Sequence, residues 1–212
     1  MKHVRMIAVL VMGLGVSGCA SMSVVSRNAS FEQPEMAIVA SSVSVEGIQI
    51  SVPKKLRVSE ANLYYPLGDI VWRGDPMGDR HAQVKAIFEQ GIGQGVKSVK
   101  GAVPVIAHIE VLRFHSLSEK ARYSVGGVHS IKFSLTLVDP KTGAILVPAR
   151  AIKADLQAWG GYRAMQAENQ GEGQKVRIIE HLAAVIHKEL TNPPAPEAAA
   201  KVANAKALTA IN

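Results

Sequence analysis

The sequence predicts an α+β fold, with an antiparallel sheet of about four to five strands and two helices packed on one face. Residues 128–138 alternate apolar and polar side chains, as a half-buried strand does, and a hairpin turn follows at 139–143. Two longer segments, about 79–99 and 173–190, carry apolar residues at steps of three and four, which is typical of amphipathic helices. Short turns between consecutive strands favour antiparallel pairing.

The first elements of the domain are short and extended. Residues 55–61 alternate in polarity and are predicted as a strand, and residues 69–73 as a second, shorter one. Upstream of them, residues 19–52 are rich in Ser, Val and Ala and are interpreted as a polar tether. Residues 42–52 within that stretch nevertheless alternate enough to form a strand.

The first helix has a clear start and a weakened end. Asp79 precedes it and is a typical N-cap residue. Gly91, Gly93 and Gly95 each weaken a helix by about 1 kcal/mol relative to alanine, so the helix is expected to end early. These glycines lack the G-x-G-x-x-G spacing of a phosphate-binding loop and follow no strand, so they indicate a close-packed or frayed helix end.

The remaining strands differ in how their faces are covered. Residues 103–116 are rich in β-branched side chains and apolar on both faces. In residues 128–138 the side chains predicted to point inward are Ile131, Phe133, Leu135 and Leu137. Those predicted to form a solvated face are Ser130, Lys132, Ser134 and Thr136. Residues 144–156 form the partner strand, and Pro148 places it at an edge or bulge because proline cannot donate to a ladder.

The N-terminus carries a targeting signal. A basic start containing Lys2 and Arg5 precedes an apolar stretch that is too short to span a bilayer, as in secretory leaders. The residues Val16-Ser17-Gly18-Cys19 that follow resemble the lipobox of bacterial lipoproteins. That resemblance implies a diacylglyceryl group on the Cys19 thiol, cleavage after residue 18 and an N-acyl chain, such as palmitate, on the new amino group. Ala20 in place of Asp implies the outer membrane, on its periplasmic face.

Composition narrows the classes of partner and cofactor. Loss of Lys2 and Arg5 with the leader lowers the formal charge from +7 to +5. Outside the cytoplasm this basic excess favours anionic lipid headgroups and acidic glycans over nucleic acid as partners. The single cysteine excludes an internal disulfide and a multi-thiolate metal cluster. No cofactor is expected beyond the two lipid modifications of Cys19.

The chain is thereby divided into four parts. Residues 1–18 are predicted as a lipoprotein signal peptide, 19–52 as a lipidated tether, 53–190 as a single α+β domain and 191–212 as a disordered tail rich in Ala and Pro. The predicted domain contains nearly all of the aromatic residues.

The sequence contains no recognised catalytic or metal-binding motif. His115 and His129 would face each other if their strands formed a hairpin centred near Arg122, but no third ligand is indicated. Asp69, Asp75 and Asp79 each follow a glycine; they suit turns and helix caps, and binding of a hard cation by them is left open. Paired carboxylates and a Ser/His/Asp arrangement are not identifiable, so the protein is predicted not to be an enzyme.

Aromatic residues near the predicted loops are the candidate partner-binding residues. They are Tyr64, Tyr65, Trp72, Trp159 and Tyr162. Exposed aromatics commonly anchor interfaces, although these residues would equally serve to close the ends of the core.

A weaker resemblance concerns residues 53–157. The strand, Tyr64-Tyr65, the run 70–73 and the long helix together are similar to the auxiliary lipoproteins of lipid-transport ABC systems, and the chain also resembles alphaproteobacterial lipoproteins of uncharacterised activity. The first resemblance implies a non-catalytic binding or accessory subunit of an envelope system, contacting an envelope protein or anionic lipid. The alternative is a hydrolase of envelope glycans or lipids with an unidentified carboxylate pair.

Overall fold

The described part of the chain forms one mixed sheet of six strands together with four helices. The computed structural model describes residues 42–193, so the predicted leader, Cys19, the tether up to residue 41 and the tail from residue 194 lie outside the described residues. The strands are β1 (Val43–Ser51), β2 (Ile70–Val71), β3 (Val103–His115), β4 (Gly127–Val138), β5 (Ile145–Lys153) and β6 (Leu156–Ala158). The helices are α1 (Arg80–Val96), α2 (Glu119–Arg122), α3 (Gly161–Asn169) and α4 (Gln174–Thr191).

The α+β class is confirmed, but the prediction of a purely antiparallel sheet is wrong. The strand order is β1-β3-β4-β5; in addition, β2 pairs with β3 and β6 pairs with β4. Both β1 and β2 run parallel to β3, whereas β3, β4, β5 and β6 pair antiparallel. The reason is α1: this helix carries the chain back to the end of the sheet where β1 begins, so β3 runs in the direction of β1.

The predicted strand at residues 55–61 is also wrong. Only Val58 forms a bridge there, to Ile70, and the Arg57 carbonyl oxygen accepts from the amides of Asp69 and Ile70, which holds the segment as a loop. The alternation in residues 42–52 is confirmed as a strand, β1. The sheet therefore begins at Val43, inside the stretch that was predicted as tether.

Two helices cover one face of the sheet. The inward side chains of β4 (Ile131, Phe133, Leu135 and Leu137) are all buried, as predicted, and they pack with apolar residues of α1 and α4 in a single core. Asp79 caps α1 as predicted, because its carboxylate accepts from the amides of His81 and Ala82. In α4 the buried residues are Ile178, Ile179, Leu182, Ile186 and Leu190. Val176, which also fits the apolar pattern of residues 173–190, is exposed.

The hairpin between β4 and β5 forms at the predicted turn. The Asp139 carboxylate accepts from the amides of Lys141 and Thr142, and Gly143 adopts a φ of 72°. A positive φ is cheap only for glycine, which explains the residue at that position.

The glycines of α1 allow close packing against α4. A Cβ atom at Gly95 would lie 2.3 Å from the Ala183 carbonyl oxygen, and one at Gly91 would lie 2.8 Å from Leu182 Cβ. A Cβ atom at Gly93 would lie 3.7 Å from Ile48 Cδ1, which is an ordinary contact distance. Close packing, and not fraying, is therefore what Gly91 and Gly95 provide.

Replacing Gly95 with alanine should destabilise the fold, because the new methyl group would push α1 away from α4. We expect a loss of about 1–3 kcal/mol of unfolding free energy, the usual cost of overpacking. Gly93→Ala is the matched control and should be neutral or stabilising by up to about 1 kcal/mol, since alanine is the better helix former. Chemical denaturation of both variants measures this. Equal stability of the two variants would contradict the packing role.

Candidate interaction surface

Exposed apolar side chains gather at one end of the sheet, where β3 ends and β4 begins. We define the apolar end as residues 58–67, 72–79, 116–128 and 159–176. Thirteen large apolar side chains are exposed in the described part of the chain, and twelve lie in these four segments. They are Val58, Leu63, Tyr64, Tyr65, Leu67, Met77, Tyr123, Val125, Val128, Tyr162, Met165 and Val176. The thirteenth, Ile145, lies at the opposite end, where it pairs with Val138.

Hydrogen bonds between the segments show that they are neighbours. Ser118 donates to the Leu63 carbonyl oxygen at 2.5 Å, and the Lys120 amide donates to Asn62 Oδ1 at 2.7 Å. The Lys120 ammonium lies 4.6 Å from the centroid of the Tyr64 ring. On the other side of α2, the Ser124 carbonyl oxygen lies against Gly161 at the start of α3. The four segments thus form one continuous surface.

A buried arginine joins two of these segments. Arg80 is only 3% exposed, and its guanidinium donates to both carboxylate oxygens of Glu60, at 2.7 and 3.2 Å. It also donates to the carbonyl oxygens of Asp75 and Pro76, each at 3.1 Å, and to Gln83 Oε1 at 2.7 Å. The hydrogen bond from Arg80 to Glu60 lowers the pKa of that carboxyl below its usual value. One side chain therefore fixes the segments 58–67 and 72–79 to the start of α1.

A second polar cluster links the segment 72–79 to α4. Asp75 accepts from Trp72 Nε1 and from Lys175 Nζ, both at 2.7 Å. Burial raises the pKa of Asp75, but these two hydrogen bonds outweigh it and hold the pKa below its usual value. The carboxylate stays ionised and holds the first turn of α4 against the loop.

The candidate partner-binding aromatics take three different positions. Tyr64, Tyr65 and Tyr162 are exposed at the apolar end, as their proposed role requires. Trp72 is fully buried and packs edge-on against Phe114, so it belongs to the core and is not available to a partner. Trp72 is therefore removed from the candidate partner-binding residues. Its side chain follows the short strand β2 and extends inward, beneath the loop that comes after the strand.

Trp159 is half-buried under two arginines. The guanidinium carbons of Arg177 and Arg163 lie 3.5 and 4.1 Å from its ring centroid. Such contacts are worth about 0.5–2 kcal/mol each. Trp159 therefore fastens α3 and α4 together at the edge of the apolar end, while Tyr162 beside it projects into solvent.

His115 and His129 do not face each other. His115 pairs with Ser130 across the hairpin, so the two histidines lie on opposite faces of the sheet. His115 Nε2 bonds the Pro66 carbonyl oxygen at 2.8 Å, and its ring stacks on Tyr65. The sequence alone does not reveal this register. It pairs His115 with Ser130 and not with His129, and a shift of one residue moves a side chain to the other face of the sheet.

His129 borders a small cavity beneath the apolar end. The cavity holds about 10 Å³, room for roughly one water molecule, and Arg122, Gln174, Trp159 and Arg177 also line it. His129 Nδ1 shares a 2.8 Å hydrogen bond with the Ser116 hydroxyl. Burial, reinforced by the nearby positive charges of Arg177 and Arg122, lowers the pKa of His129 to about 3. The ring is therefore neutral at physiological pH.

The three Gly-Asp steps serve separate structural purposes. Asp69 accepts from the Arg57 amide at 2.9 Å, Asp75 binds Trp72 and Lys175, and Asp79 caps α1. Within residues 42–193 no group of three or more His, Cys, Asp or Glu side chains is arranged to hold a metal ion.

The open face of the sheet carries a shallow polar groove of about 350 Å³. Its lining includes His108 and Glu110 of β3 and, opposite them in the ladder, Thr136 and Ser134 of β4. Glu110 lies 3.9 Å from the ammonium group of Lys55. Ser134 and Thr136 were predicted on the solvated face, and both are half-buried there.

Comparison with known families identifies the chain. The family of unknown function DUF6778 matches residues 43–206, from the first residue of β1 through the sheet and α4. This chain belongs to the DUF6778 family. None of the curated proteins matches it. In the described part of this DUF6778 chain, no helix is long and apolar enough to span a membrane.

Three solved structures resemble the DUF6778 chain distantly. A PelC dodecamer from Paraburkholderia phytofirmans is 12% identical with a TM-score of 0.33, over 72% of this chain and 88% of that one. A DUF330 protein from Xanthomonas campestris has the same identity and TM-score, over 71% and 79%. A candidate lipoprotein from Caulobacter crescentus is 15% identical with a TM-score of 0.28, over 74% and 92%. At these values the likenesses carry no inference about function.

Arg80 and the exposed Leu67, Tyr123 and Val125 were missed by sequence reasoning. An arginine in the first turn of a helix looks like a solvated residue, and single apolar residues in loops are common on surfaces. The available signal was the clustering of Leu63, Leu67 and the tyrosine pair within one short loop of the DUF6778 chain.

Stability of the DUF6778 chain should fall as the pH is lowered from about 6.5. Unfolded His129 takes up a proton near its ordinary pKa of 6.5, whereas the folded residue does so only near 3. The unfolded state binds more protons in this window, which lowers the unfolding free energy by up to about 1.4 kcal/mol per pH unit.

His129→Asn should lower the dependence of the unfolding free energy on pH by the contribution of one proton. The variant should stay folded, because the Asn oxygen can still accept a hydrogen bond from Ser116. Urea denaturation at a series of pH values, from pH 7 down to the range where carboxylates titrate, measures the unfolding free energy. An unchanged slope in His129→Asn would show that His129 does not titrate as the structure requires.

Proposed function

We propose that this protein is a lipid-anchored, non-catalytic binding or accessory subunit of the bacterial cell envelope, facing the periplasm from the outer membrane. Two features support the proposal. The lipobox at residues 16–19 supplies the anchor, and the apolar end supplies a binding surface. A lipid-transport assembly is the kind of system that the sequence resemblance favours.

The apolar end is the observation that carries this proposal. Soluble monomers rarely expose large contiguous apolar patches, and those that do occur generally mark interaction sites. Here Leu67, Tyr162 and Val125 are each more than 75% exposed, on three different segments. Arg80, Asp75 and Ser118 hold these segments in place, so the surface is preorganised, which lowers the entropy cost of binding.

A hydrolase remains the second candidate because of the groove on the open face. His108 and Glu110 project from the same side of β3, with the hydroxyl groups of Ser134 and Thr136 opposite them. A carboxylate and an imidazole side by side can exchange protons with a substrate.

The anchor is tested by Cys19→Ala. Cells that express the natural chain should incorporate labelled palmitate into it, and the variant should incorporate none, since the thiol is the site of the first lipid transfer. Ser17→Ala, which keeps a small residue in the lipobox, is the control and should be labelled normally. Labelling of Cys19→Ala would refute lipidation at this residue.

The two candidate functions predict opposite outcomes in a complementation experiment. A deletion strain would be scored for outer-membrane permeability to a large antibiotic while expressing each variant. We expect Tyr64→Ser with Tyr162→Ser to fail to restore the barrier, because both side chains are exposed and contribute to binding. We expect His108→Asn with Glu110→Gln to restore it. Ile145→Ser, an exposed apolar residue at the other end, is the matched control for the tyrosine pair. Failure of the groove variant alone would favour the hydrolase.

A further inference from the structure

The apolar end has the composition of a surface that enters a membrane interface. All four tyrosines of the chain (Tyr64, Tyr65, Tyr123 and Tyr162) lie in it, and each is more than half exposed. Tyrosine is enriched at the boundary between lipid and water, because its ring is apolar while its hydroxyl group remains hydrated. Leu67, Met77 and Val125 supply purely apolar tips between the tyrosines.

We propose that the apolar end docks into the headgroup region of a phospholipid bilayer. This inference rests on the proposed function, in which the chain is lipid-anchored, and it names the partner of the same surface. The bilayer itself, and not a protein, is the occupant to which the observations point.

Charges at the apolar end are largely neutralised within the protein. Six acidic residues lie in its four segments, and four of them are ion-paired. These four are Glu60 with Arg73 and Arg80, Asp75 with Lys175, Asp79 with Lys54, and Glu168 with Arg122. Carboxylates held in this way cost less to bring near lipid than unpaired ones. Docking is therefore driven by burial of apolar side chains, and we expect it to survive high salt.

The apolar tips come from four different segments, which suits a fluid partner. Eight of the twelve have exposures between 52% and 81%. A protein interface requires a packed core of matching shape. A bilayer interface adapts to each tip and requires no complementary shape, so highly exposed tips on four different segments favour lipid.

The predicted anchor brings the apolar end within reach of the same bilayer. The chain enters the sheet at Val43, opposite the apolar end, and β3 separates the two ends by about 40 Å at 3.3 Å per residue. From Cys19 to Val43 the chain can span at most about 85 Å at 3.3–3.6 Å per residue. That reach exceeds the length of the sheet, so the domain can turn its apolar end toward the lipid. Tethering also raises the effective concentration of the surface near the bilayer, so that weak binding suffices.

Spin labelling of the lipidated full chain tests the proposal. Leu67→Cys, Tyr162→Cys and the control Ile145→Cys would each be labelled; the lipidated Cys19 does not react. The proteins are reconstituted in vesicles of phosphatidylethanolamine and phosphatidylglycerol. Collision of the label with oxygen, which concentrates in lipid, is compared with collision with a water-soluble nickel chelate. Thermal unfolding confirms that each variant is folded.

We expect the ratio of oxygen to nickel collisions to be several-fold higher at positions 67 and 162 than at 145, in low and in high salt. Equal ratios at all three positions on floating vesicles would overturn the docking proposal while leaving the anchor intact. Immobilised labels at 67 and 162 that neither reagent reaches would also overturn it, in favour of a protein or a second copy of the chain. Protein that does not float with the vesicles would overturn the anchor, and the inference with it.

Discussion

The buried guanidinium of Arg80 is the interaction on which the shape of the apolar end depends. A charged side chain only 3% exposed is tolerated because every direction of its planar fork meets an acceptor: the carboxylate of Glu60, two backbone carbonyl oxygens and Gln83. The segments that these groups belong to contain little regular structure of their own. Without Arg80, the loops 58–67 and 72–79 would lose their buried link to the start of α1. Bonds from Ser118, His115 and Lys175 would then hold them only at other points, and the exposed side chains near α1 would lose their fixed positions.

Stability and binding are assigned to different parts of the molecule. The core lies between the sheet and the pair of long helices, where Gly91 and Gly95 let α1 and α4 approach closely. The exposed side chains of the apolar end lie outside that core, and its segments are held by polar bonds from Arg80 and Asp75 and by the arginines over Trp159. Apolar side chains there are consequently left exposed without weakening the core, which is what a preorganised binding surface requires.

Much of the fold could be predicted from the sequence where the pattern is local. The alternation of β4, the turn at Asp139 and the cap at Asp79 are properties of neighbouring residues, and all three are confirmed. Strand direction could not be predicted, because it depends on where α1 returns the chain. The same limit applies to the site: Tyr64 and Tyr162 were found as aromatics near loops, but only the tertiary structure shows that Trp72 is buried and that four distant segments meet.

Hydrogen exchange of the chain with Arg80 replaced by lysine tests the central claim most directly. Lysine keeps the positive charge but lacks the planar fork, so it cannot bond Glu60 and the loop carbonyl oxygens together. Backbone amides in residues 58–79 should then exchange faster, while those of β3 and β4 keep their protection. Arg150→Lys, which alters the ion pair with Glu189 outside the apolar end, should leave residues 58–79 unchanged. Unaltered exchange of residues 58–79 in Arg80→Lys would contradict the account.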